Sequence, residues 1–479
     1  MVMCPVTTIL LGLVGLLALV YVFLTWNFNY WKKRGIPSAK AWPFVGSFPS
    51  VFTQKRNRVY DIDDIYNEYK DSHSIVGVFN TRLPQLLVTT PEYAHKIYAS
   101  DFRSFHDNEL GLFTDKKVDK ILANNPAVLR GDEWKERRAE VTPGLSANRV
   151  KAVYPVSQDV CKKFVDYIKK QIKMAPADGI KRQGSIAAKF KRQKGGREIF
   201  DNLIYFNVVA NLWPPIRKLY SVPLFSKDVE NFFFDIMRKC IQLRKENPVQ
   251  QRDDFLNYML TLQEKKGLDT LELTSHTMTF LTDGFETTAG TLAHILLLLA
   301  RNPDTIRKLR EEVGTKELSF EELSELPYIE ACIHETLRIF PPALYARKLV
   351  SETYEFVNKN GVRVKVYPGD VVLVPVNSLQ KDPQYYEDPE KFKPERFLES
   401  NGGAKKYRDQ GVYFGFGDGP RICPGMKFSI TQLKAALVEI VRNFDFKVNP
   451  RTRTDNRFDD TFFMAALKGG IWLDFKELK

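Results

Sequence analysis

The chain has 479 residues, of which 44% are hydrophobic and 27% charged, a composition typical of a globular protein with a large buried core. Its formal net charge is +13, but no zinc-knuckle, helix-turn-helix or RNA-binding aromatic pattern accompanies the basic excess, which argues against nucleic-acid binding. The five cysteines are widely spaced and form no CxxC pair, which argues against a disulfide framework and a zinc site.

The first predicted element is an apolar amino-terminal segment. Residues 5–26 read PVTTILLGLVGLLALVYVFLTW without a charge, about the length that spans a bilayer. The basic run 32–34 follows at once, and the positive-inside rule then places the rest of the chain in the cytoplasm. A cleaved signal peptide would have a basic start, a shorter apolar core and a small-residue cleavage site, and none is clear here. We expect residues 1–31 to be an uncleaved membrane anchor and residues 32–479 a single domain.

The body of the chain is predicted to be mainly α with a small β region. Apolar periodicity predicts helices at 59–70, 132–142, 150–174, 226–246, 253–266, 272–301, 303–314, 326–339 and 424–443. Two β-runs are expected within 75–89 around a turn at Arg82–Pro84, with further strands within 353–375 and near the carboxyl end. Pro37, Pro43 and Pro49 predict a stiff, extended linker after the basic run.

The first polar motif in chain order is Trp134-Lys-Glu-Arg-Arg138. Its i,i+4 spacing places an indole and a guanidinium on one helix face, and both groups can donate to a carboxylate. An exposed helix often has the same pattern, so this motif alone assigns no function.

The second motif, Asp283-Gly-Phe-Glu286-Thr287-Thr288, lies inside a strongly apolar helical run. Acid and alcohol side chains are costly in such surroundings unless they meet water or partners. Thr287 can also donate to a carbonyl of the preceding turn and loosen the helix there. The alternative is that these residues form the solvent side of an amphipathic helix.

The third motif is Glu335-Thr-Leu-Arg338, whose i,i+3 spacing puts both charges on one helix face. Its neighbours are apolar, so the pair is expected to be partly buried and to need further partners. The sequence Pro394-Glu-Arg396-Phe follows later in the chain. The alternative for Glu335 and Arg338 is an exposed helix ion pair.

The strongest signal is the loop YFGFGDGPRICPGM at 413–426. Its glycines permit unusual backbone dihedrals, and prolines restrict it on both sides of Cys423. A cysteine directly before a helix lies in positive potential, which favours the thiolate, a metal ligand. The alternative for an isolated cysteine is a structural, buried thiol.

The segment FGDGPRICPG at 416–425 resembles the haem-binding loop of the cytochrome P450 family at every defining position. The order of the other motifs is similar to that family across nearly the whole chain, with a texture like insect microsomal enzymes of the xenobiotic type. The resemblance implies the cytochrome P450 fold with an amino-terminal transmembrane anchor, and residues 32–479 as the haem-binding catalytic domain. It also implies haem as cofactor, with the Cys423 thiolate as the axial iron ligand.

The resemblance implies further roles for residues outside the ligand itself. Thr287 is expected to hydrogen-bond iron-bound dioxygen, and Glu286 to relay protons. Glu335, Arg338 and Arg396 are expected to form a network that braces the cysteine loop. The residues expected to contact haem are Trp134, Arg138, Arg347, Phe416, Arg421 and Gly425.

The implied activity is insertion of one oxygen atom of O2 into a lipophilic small molecule, at the endoplasmic reticulum membrane with the catalytic domain facing the cytoplasm. The implied partners are an NADPH-cytochrome reductase and, as a further candidate, cytochrome b5. An acidic flavoprotein would dock on a basic face for which Lys135, Arg137, Lys427 and Lys434 are candidates. An ordinary solvated face is the alternative for these four residues.

Two features depart from the family pattern. A basic, glycine-containing stretch at 178–200 stands where relatives have a helix, and it reads as a solvated insert. Asp283 stands where many relatives carry a small apolar residue. A catalytically impaired haem- or lipophile-binding member that lacks one helix therefore remains an alternative function. A haem-thiolate isomerase or dehydratase that needs no reductase is another, although the chain keeps the acid–Thr pair.

Overall fold

The computed structural model describes residues 5–174, 210–219, 223, 227–246, 254–461 and 464–478, and the predicted insert at 178–200 lies outside them. The helices are α1 (Pro5–Thr25), α2 (Ser50–Thr53), α3 (Arg58–Tyr69), α4 (Pro91–His95), α5 (Gly131–Val141), α6 (Ala147–Met174), α7 (Ala210–Leu212), α8 (Ile216–Leu219), α9 (Lys227–Glu246), α10 (Phe255–Lys266), α11 (Thr270–Arg301), α12 (Pro303–Val313), α13 (Phe320–Ser324), α14 (Pro327–Ile339), α15 (Val376–Gln380), α16 (Gly403–Asp409) and α17 (Met426–Asn443). The strands are β1 (Ile75–Asn80), β2 (Leu83–Val88), β3 (Asp107–Asn108), β4 (Ala346–Leu349), β5 (Tyr354–Val357), β6 (Arg363–Val366), β7 (Val371–Val374), β8 (Phe444–Val448) and β9 (Leu473–Glu477).

The nine helices predicted from apolar periodicity are all present and begin within three residues of their predicted starts. Apolar periodicity did not predict the correct first residue of α11. Asp269 accepts a hydrogen bond from the Glu272 amide at 2.7 Å, and the Glu272 carboxylate accepts one from the Asp269 amide at 3.0 Å. This capping box begins the helix at Thr270 rather than at the predicted residue 272.

The turn predicted at Arg82–Pro84 is misplaced. The chain reverses at Thr81, which has a φ of +56°, and Pro84 already lies in β2 opposite Phe79. Proline is tolerated there because β2 pairs with β7 only at Leu86 and Leu87, so the missing N–H is not required by the ladder. At the carboxyl end, β9 is the only strand described after residue 450, and it pairs with β8.

The main sheet has the strand order β1-β2-β7-β4-β3, with β2 and β7 parallel and the other neighbours antiparallel. Its two faces are covered by separate buried apolar clusters. The largest buried cluster is helical and joins α11, α12, α14 and α17. The carboxyl half of α11 and the start of α17 meet at Thr288 and Ser429, and they position the candidate site.

The amino-terminal segment is attached to the sheet. The side chains of α1 are exposed over nearly its whole length, and the apolar segment Val6–Arg34 is long and apolar enough to cross a membrane. The residues that follow are non-helical, as the prolines predict, but they pack onto β1. Ala39 donates to the Gly77 carbonyl at 2.9 Å, and Gly77 donates to the Pro37 carbonyl at 2.8 Å. Trp31, the last residue of the predicted anchor, is buried in the sheet cluster.

The contact between Trp31 and Gly77 gives a testable prediction. A Cβ on Gly77 would lie 2.1 Å from Cγ of Trp31, so the backbone approaches the indole too closely for any side chain. We expect Gly77→Ala to lower the free energy of unfolding by about 1–3 kcal/mol, the usual cost of overpacking. Denaturant unfolding of the detergent-solubilised chain measures this change. If the indole is the cause, the substitution costs much less in a Trp31→Ala background, and equal costs in both backgrounds would contradict the contact.

Candidate active site

Cys423 lies in a tight loop whose backbone is held by its own hydrogen bonds. The Cys423 amide donates to the Phe416 carbonyl at 2.8 Å, and the Gly417 amide donates to the Phe414 carbonyl at 2.9 Å. Gly419 has a φ of +62°, and a Cβ on it would lie 1.9 Å from the Tyr98 carbonyl oxygen. Only glycine fits this position. The loop therefore presents Cys423 at a fixed place directly before α17.

Burial is the main influence on the Cys423 thiol and raises its pKa. A backbone hydrogen bond from Gly425 and the positive charge of Arg138 lower the pKa, and the carboxylate of Asp283 raises it. The raising effects dominate, so the protein alone does not hold a thiolate there. A metal cation bound to the sulfur would supply the missing positive charge and remove the proton.

Three of the predicted cofactor-contacting side chains converge beside Cys423. The Arg421 guanidinium stacks 4.2 Å above the buried Trp134 ring and donates to the Leu129 carbonyl at 2.9 Å. Arg138 donates to the Ile422 carbonyl at 2.5 Å. The i,i+4 face predicted from the sequence of α5 is therefore directed at the cysteine loop.

Two further predicted contacts, Phe416 and Gly425, belong to the cysteine loop itself. The carbonyl of Phe416 accepts the Cys423 amide, and its ring meets His334 edge-on at 6.2 Å. Gly425 caps α17 and accepts a hydrogen bond from the Ser429 amide at 2.8 Å. Their contact with a cofactor stays a prediction.

Arg347 is placed differently from the other predicted donors. Its guanidinium donates to the Glu109 carboxylate at 2.7 Å. The next residue, Lys348, projects from the opposite face of β4, is buried, and donates to the Asn108 side chain at 3.0 Å. Burial, together with the charge of Arg421, lowers the pKa of the Lys348 amine to about 7. Lys348 belongs to no sequence motif, and strand alternation next to Arg347 is the sequence signal that points to it.

These charges test whether the residues present fit haem. Arg138, Lys348 and Arg421 converge on this edge of the site, and Asp107 is the carboxylate that pairs with Arg421, at 3.2 Å. The Nε of Arg421 is buried without a hydrogen-bond partner. Buried cations in excess of carboxylates require an anionic partner. The two propionates of haem supply two negative charges, so the residues fit this group, with Cys423 as the iron ligand.

The acid–alcohol motif of α11 faces the same space. Thr287 Oγ1 donates to the Asp283 carbonyl at 2.5 Å, and Thr288 lies 3.3 Å from the Ser429 hydroxyl at the start of α17. Burial raises the pKa of the Asp283 carboxyl to about 6 and raises that of Glu286. The surrounding protein therefore desolvates the Asp283 carboxyl, while its side chain remains exposed, so it faces an open space near Cys423.

The predicted network around Glu335 is present. Arg338 binds the Glu335 carboxylate in a bidentate manner, at 2.7 and 2.8 Å, and both side chains are fully buried. Arg338 also donates to the carbonyls of Gln380 and Pro389 at 2.9 and 2.7 Å. Arg396 Nε lies 3.4 Å from the Glu335 carboxylate. The exposed ion pair that the sequence left open is thus ruled out.

No sequence motif indicates Gln380, which completes this network. Its side-chain amide donates to the carbonyls of Leu337 and Arg338 at 2.9 and 3.0 Å. Its side-chain oxygen accepts the Phe414 amide at 2.6 Å. Gln380 is fully buried and joins the end of α14 to the first residues of the cysteine loop.

The basic residues proposed for partner docking divide into two groups. Lys135 and Lys427 are exposed. Arg137 is partly buried and engaged by carboxylates. Lys434 is buried and pairs with Glu330 at 2.7 Å, so its expected place on a docking face is wrong. The i,i+4 periodicity of α17 places Lys434 on the core side of that helix.

Comparisons with known proteins agree with this geometry. The family model described as Cytochrome P450 matches residues 36–188 and 188–472. "Probable cytochrome P450 28d1" of Drosophila melanogaster is 68% identical over 500 residues, covering 99% of this chain and 100% of the relative. "Probable cytochrome P450 28d2" of the same species is 62% identical over 501 residues, covering 99% and 100%. "Cytochrome P450 6j1" of Blattella germanica is 29% identical over 484 residues, covering 95% and 94%.

The comparisons also bear on the basic stretch at 178–200. The family match is divided at residue 188, inside that stretch. The alignment with the first relative extends over 500 residues, more than the 479 of this chain, so the relative contains residues that this chain lacks. The predicted departure from the family pattern therefore has independent support from sequence comparison.

Gln380 gives the second testable prediction. Gln380→Leu is expected to lower the free energy of unfolding by about 2–3 kcal/mol, because the Phe414 amide and two carbonyls lose buried partners. Denaturant unfolding monitored by the Soret band and by far-UV circular dichroism measures the loss. Gln410→Leu, at an exposed position, is the matched control and is expected to change the stability by less than about 0.5 kcal/mol. Equal effects of the two substitutions would contradict the bridging role.

Lys348 gives the third prediction. Lys348→Met removes one cation from the edge that faces the haem carboxylates, so haem should dissociate about tenfold faster. The measurement is the rate of haem transfer to an excess of an apo-globin. Lys348→Arg keeps the charge and should retain haem, and Lys405→Met, on the surface, should leave the rate unchanged. A rate for Lys348→Met equal to that of the surface variant would show that Lys348 does not hold the cofactor.

Proposed function

The chain belongs to the cytochrome P450 family and is a haem-thiolate monooxygenase, and from this premise we propose that it inserts one oxygen atom of O2 into a lipophilic small molecule. We propose an NADPH-cytochrome reductase as the source of electrons, with cytochrome b5 as a second candidate donor. The observation that carries this proposal is the acid–alcohol face of α11, which lines an interior space close to Cys423.

The proposed roles of the chain's residues follow from their positions. Bound haem supplies the activation of dioxygen. Cys423 would hold the iron as thiolate, and Arg138, Lys348 and Arg421 would hold the haem carboxylates. The Trp134 ring packs under the Arg421 guanidinium and orients it. The buried Glu335–Arg338 pair fixes α14 against the segments before the cysteine loop.

Proton delivery is proposed for Glu286 and Thr287. Burial raises the pKa of the Glu286 carboxyl, so it binds and releases a proton more readily near neutral pH than an exposed glutamate. Thr287 donates its own proton to the Asp283 carbonyl, which leaves the lone pairs of Oγ1 free to accept a hydrogen bond. Glu286 would therefore supply the proton, and Thr287 would accept a hydrogen bond from the group that receives it in the space that faces Cys423.

The site of action is proposed from the amino terminus and the surface charge. Residues 1–31 would anchor the protein in the endoplasmic reticulum membrane, and the basic run 32–34 would keep residues 32–479 in the cytoplasm. The exposed Lys135 and Lys427 lie next to the cofactor-contacting side of α5 and α17, and would attract an acidic electron donor. Arg137, which pairs with Glu140 and Glu272, would contribute to packing instead of to docking.

One observation favours a second candidate function. The family match is divided at residue 188, and the first relative carries residues that this chain lacks. A chain changed in this segment could bind haem and a lipophile without completing the monooxygenase reaction. Turnover that depends on NADPH and reductase distinguishes an active enzyme from this binding protein.

The fourth prediction tests the monooxygenase proposal. The reduced, carbon monoxide-treated protein should show the Soret band of a thiolate-ligated haem, and a histidine-like band would contradict Cys423 as the ligand. Thr287→Ala should keep this band but lower product formed per NADPH by about a hundredfold, because proton delivery is impaired. Thr277→Ala removes a similar hydroxyl-to-carbonyl hydrogen bond nearer the amino-terminal end of α11 and is the matched control. Product in the absence of electrons would indicate an isomerase, and no product with either variant or the native chain would indicate the binding protein.

A further inference from the structure

Asp283 is a carboxylate on the interior face of α11 that the proton-delivery pair does not use. Its Oδ2 accepts a long, weak hydrogen bond from the Asn125 side-chain amide at 3.5 Å. Its Oδ1 accepts one from the Thr282 hydroxyl at 3.2 Å. No Lys, Arg or His side chain within the described part of the chain forms an ion pair with it. A carboxylate that the surrounding protein desolvates and that has no cationic partner is unfavourable in its charged form.

The space in front of Asp283 is open. By helical periodicity, Asp283, Glu286, Thr287 and Gly290 share one face of α11. A Cβ on Gly290 would meet nothing within 4 Å, and the Asp283 side chain is exposed. Asn125, which follows the 3-10 helix Leu122–Asn124, donates to only one oxygen of the carboxylate. A ligand can therefore approach the carboxylate.

The neighbouring charges do not neutralise Asp283. Arg138, whose charge lowers the pKa of the Cys423 thiol, donates to the Ile422 carbonyl at the cofactor edge. Glu286, one turn along α11, also has no ion pair with a described residue. The face thus carries two carboxyl groups, while the excess of cations lies on the opposite, cofactor-holding edge of the site.

We infer that Asp283 is a specificity-determining residue that binds the protonated nitrogen of a lipophilic amine substrate. The inference rests on the proposed monooxygenase function, which supplies the apolar body of the substrate and the reaction next to Cys423. An ammonium group donates a charge-assisted hydrogen bond to the carboxylate and provides the missing positive charge. An uncharged molecule of the same shape leaves Asp283 enclosed and unpaired, so the site discriminates between the two.

The fifth prediction uses the haem-loaded protein and two probes of one shape. They are N,N-dimethyldodecylamine and its isosteric branched alkane, in which a CH group replaces the nitrogen. Asp283→Asn should raise the dissociation constant of the amine at least about tenfold and leave that of the alkane within about twofold. Asp283→Glu keeps the charge and should retain most of the preference. The measurement is optical titration of the Soret band.

Controls separate this inference from the proposed function. Asp304→Asn removes an exposed carboxylate and should change neither dissociation constant, which excludes an effect of net charge alone. An amine affinity that is equal in the native protein and in Asp283→Asn would overturn the inference, as would an equal loss for amine and alkane. Reductase-dependent oxidation of the alkane tests the monooxygenase proposal by itself. Alkane oxidation without an Asp283-dependent amine preference would refute only the inference.

Discussion

The buried pair of Glu335 and Arg338 is the interaction on which the site depends. Both charges are fully removed from water, so each must be satisfied by the other and by surrounding carbonyls. Arg338 meets this need by donating to carbonyls of Gln380 and Pro389, segments far away in sequence. Gln380 in turn accepts the Phe414 amide. The requirement to satisfy one buried ion pair thereby fixes the position of the loop that carries Cys423.

A second constraint is the distribution of charge around Cys423. Buried cations exceed carboxylates on the edge formed by α5, β4 and the cysteine loop, while α11 presents carboxyl groups without cations. Neither arrangement is favourable for the protein alone. The first is balanced by a cofactor that carries two carboxylates and a metal cation. The same reasoning, applied to the α11 face, leads to a substrate that carries positive charge.

This separation of charges also relates stability to function. A protein that only needed to be stable would pair Asp283 with one of the nearby guanidiniums. Instead, Arg138 and Arg421 are held by backbone carbonyls at the cofactor edge, and Asn125 supplies only a long hydrogen bond to Asp283. The Nε of Arg421, which is buried without a hydrogen-bond partner, and the Asp283 carboxylate both lie near Cys423. The chain by itself therefore leaves these two groups without full partners, and the cofactor and the proposed substrate would supply them.

The sequence by itself determined nine of the helices, the cysteine loop and the Glu335–Arg338 pair, because these follow from local periodicity and from spacing within short segments. Only the tertiary structure decided which charges meet. Arg347 and Lys348 are adjacent in sequence, but strand alternation sends one to Glu109 and the other to the buried cofactor edge. Lys434 reads as a surface cation and is buried. Gln380 belongs to no sequence motif. Its role arises only because the fold brings it to Phe414, more than thirty residues later in the chain.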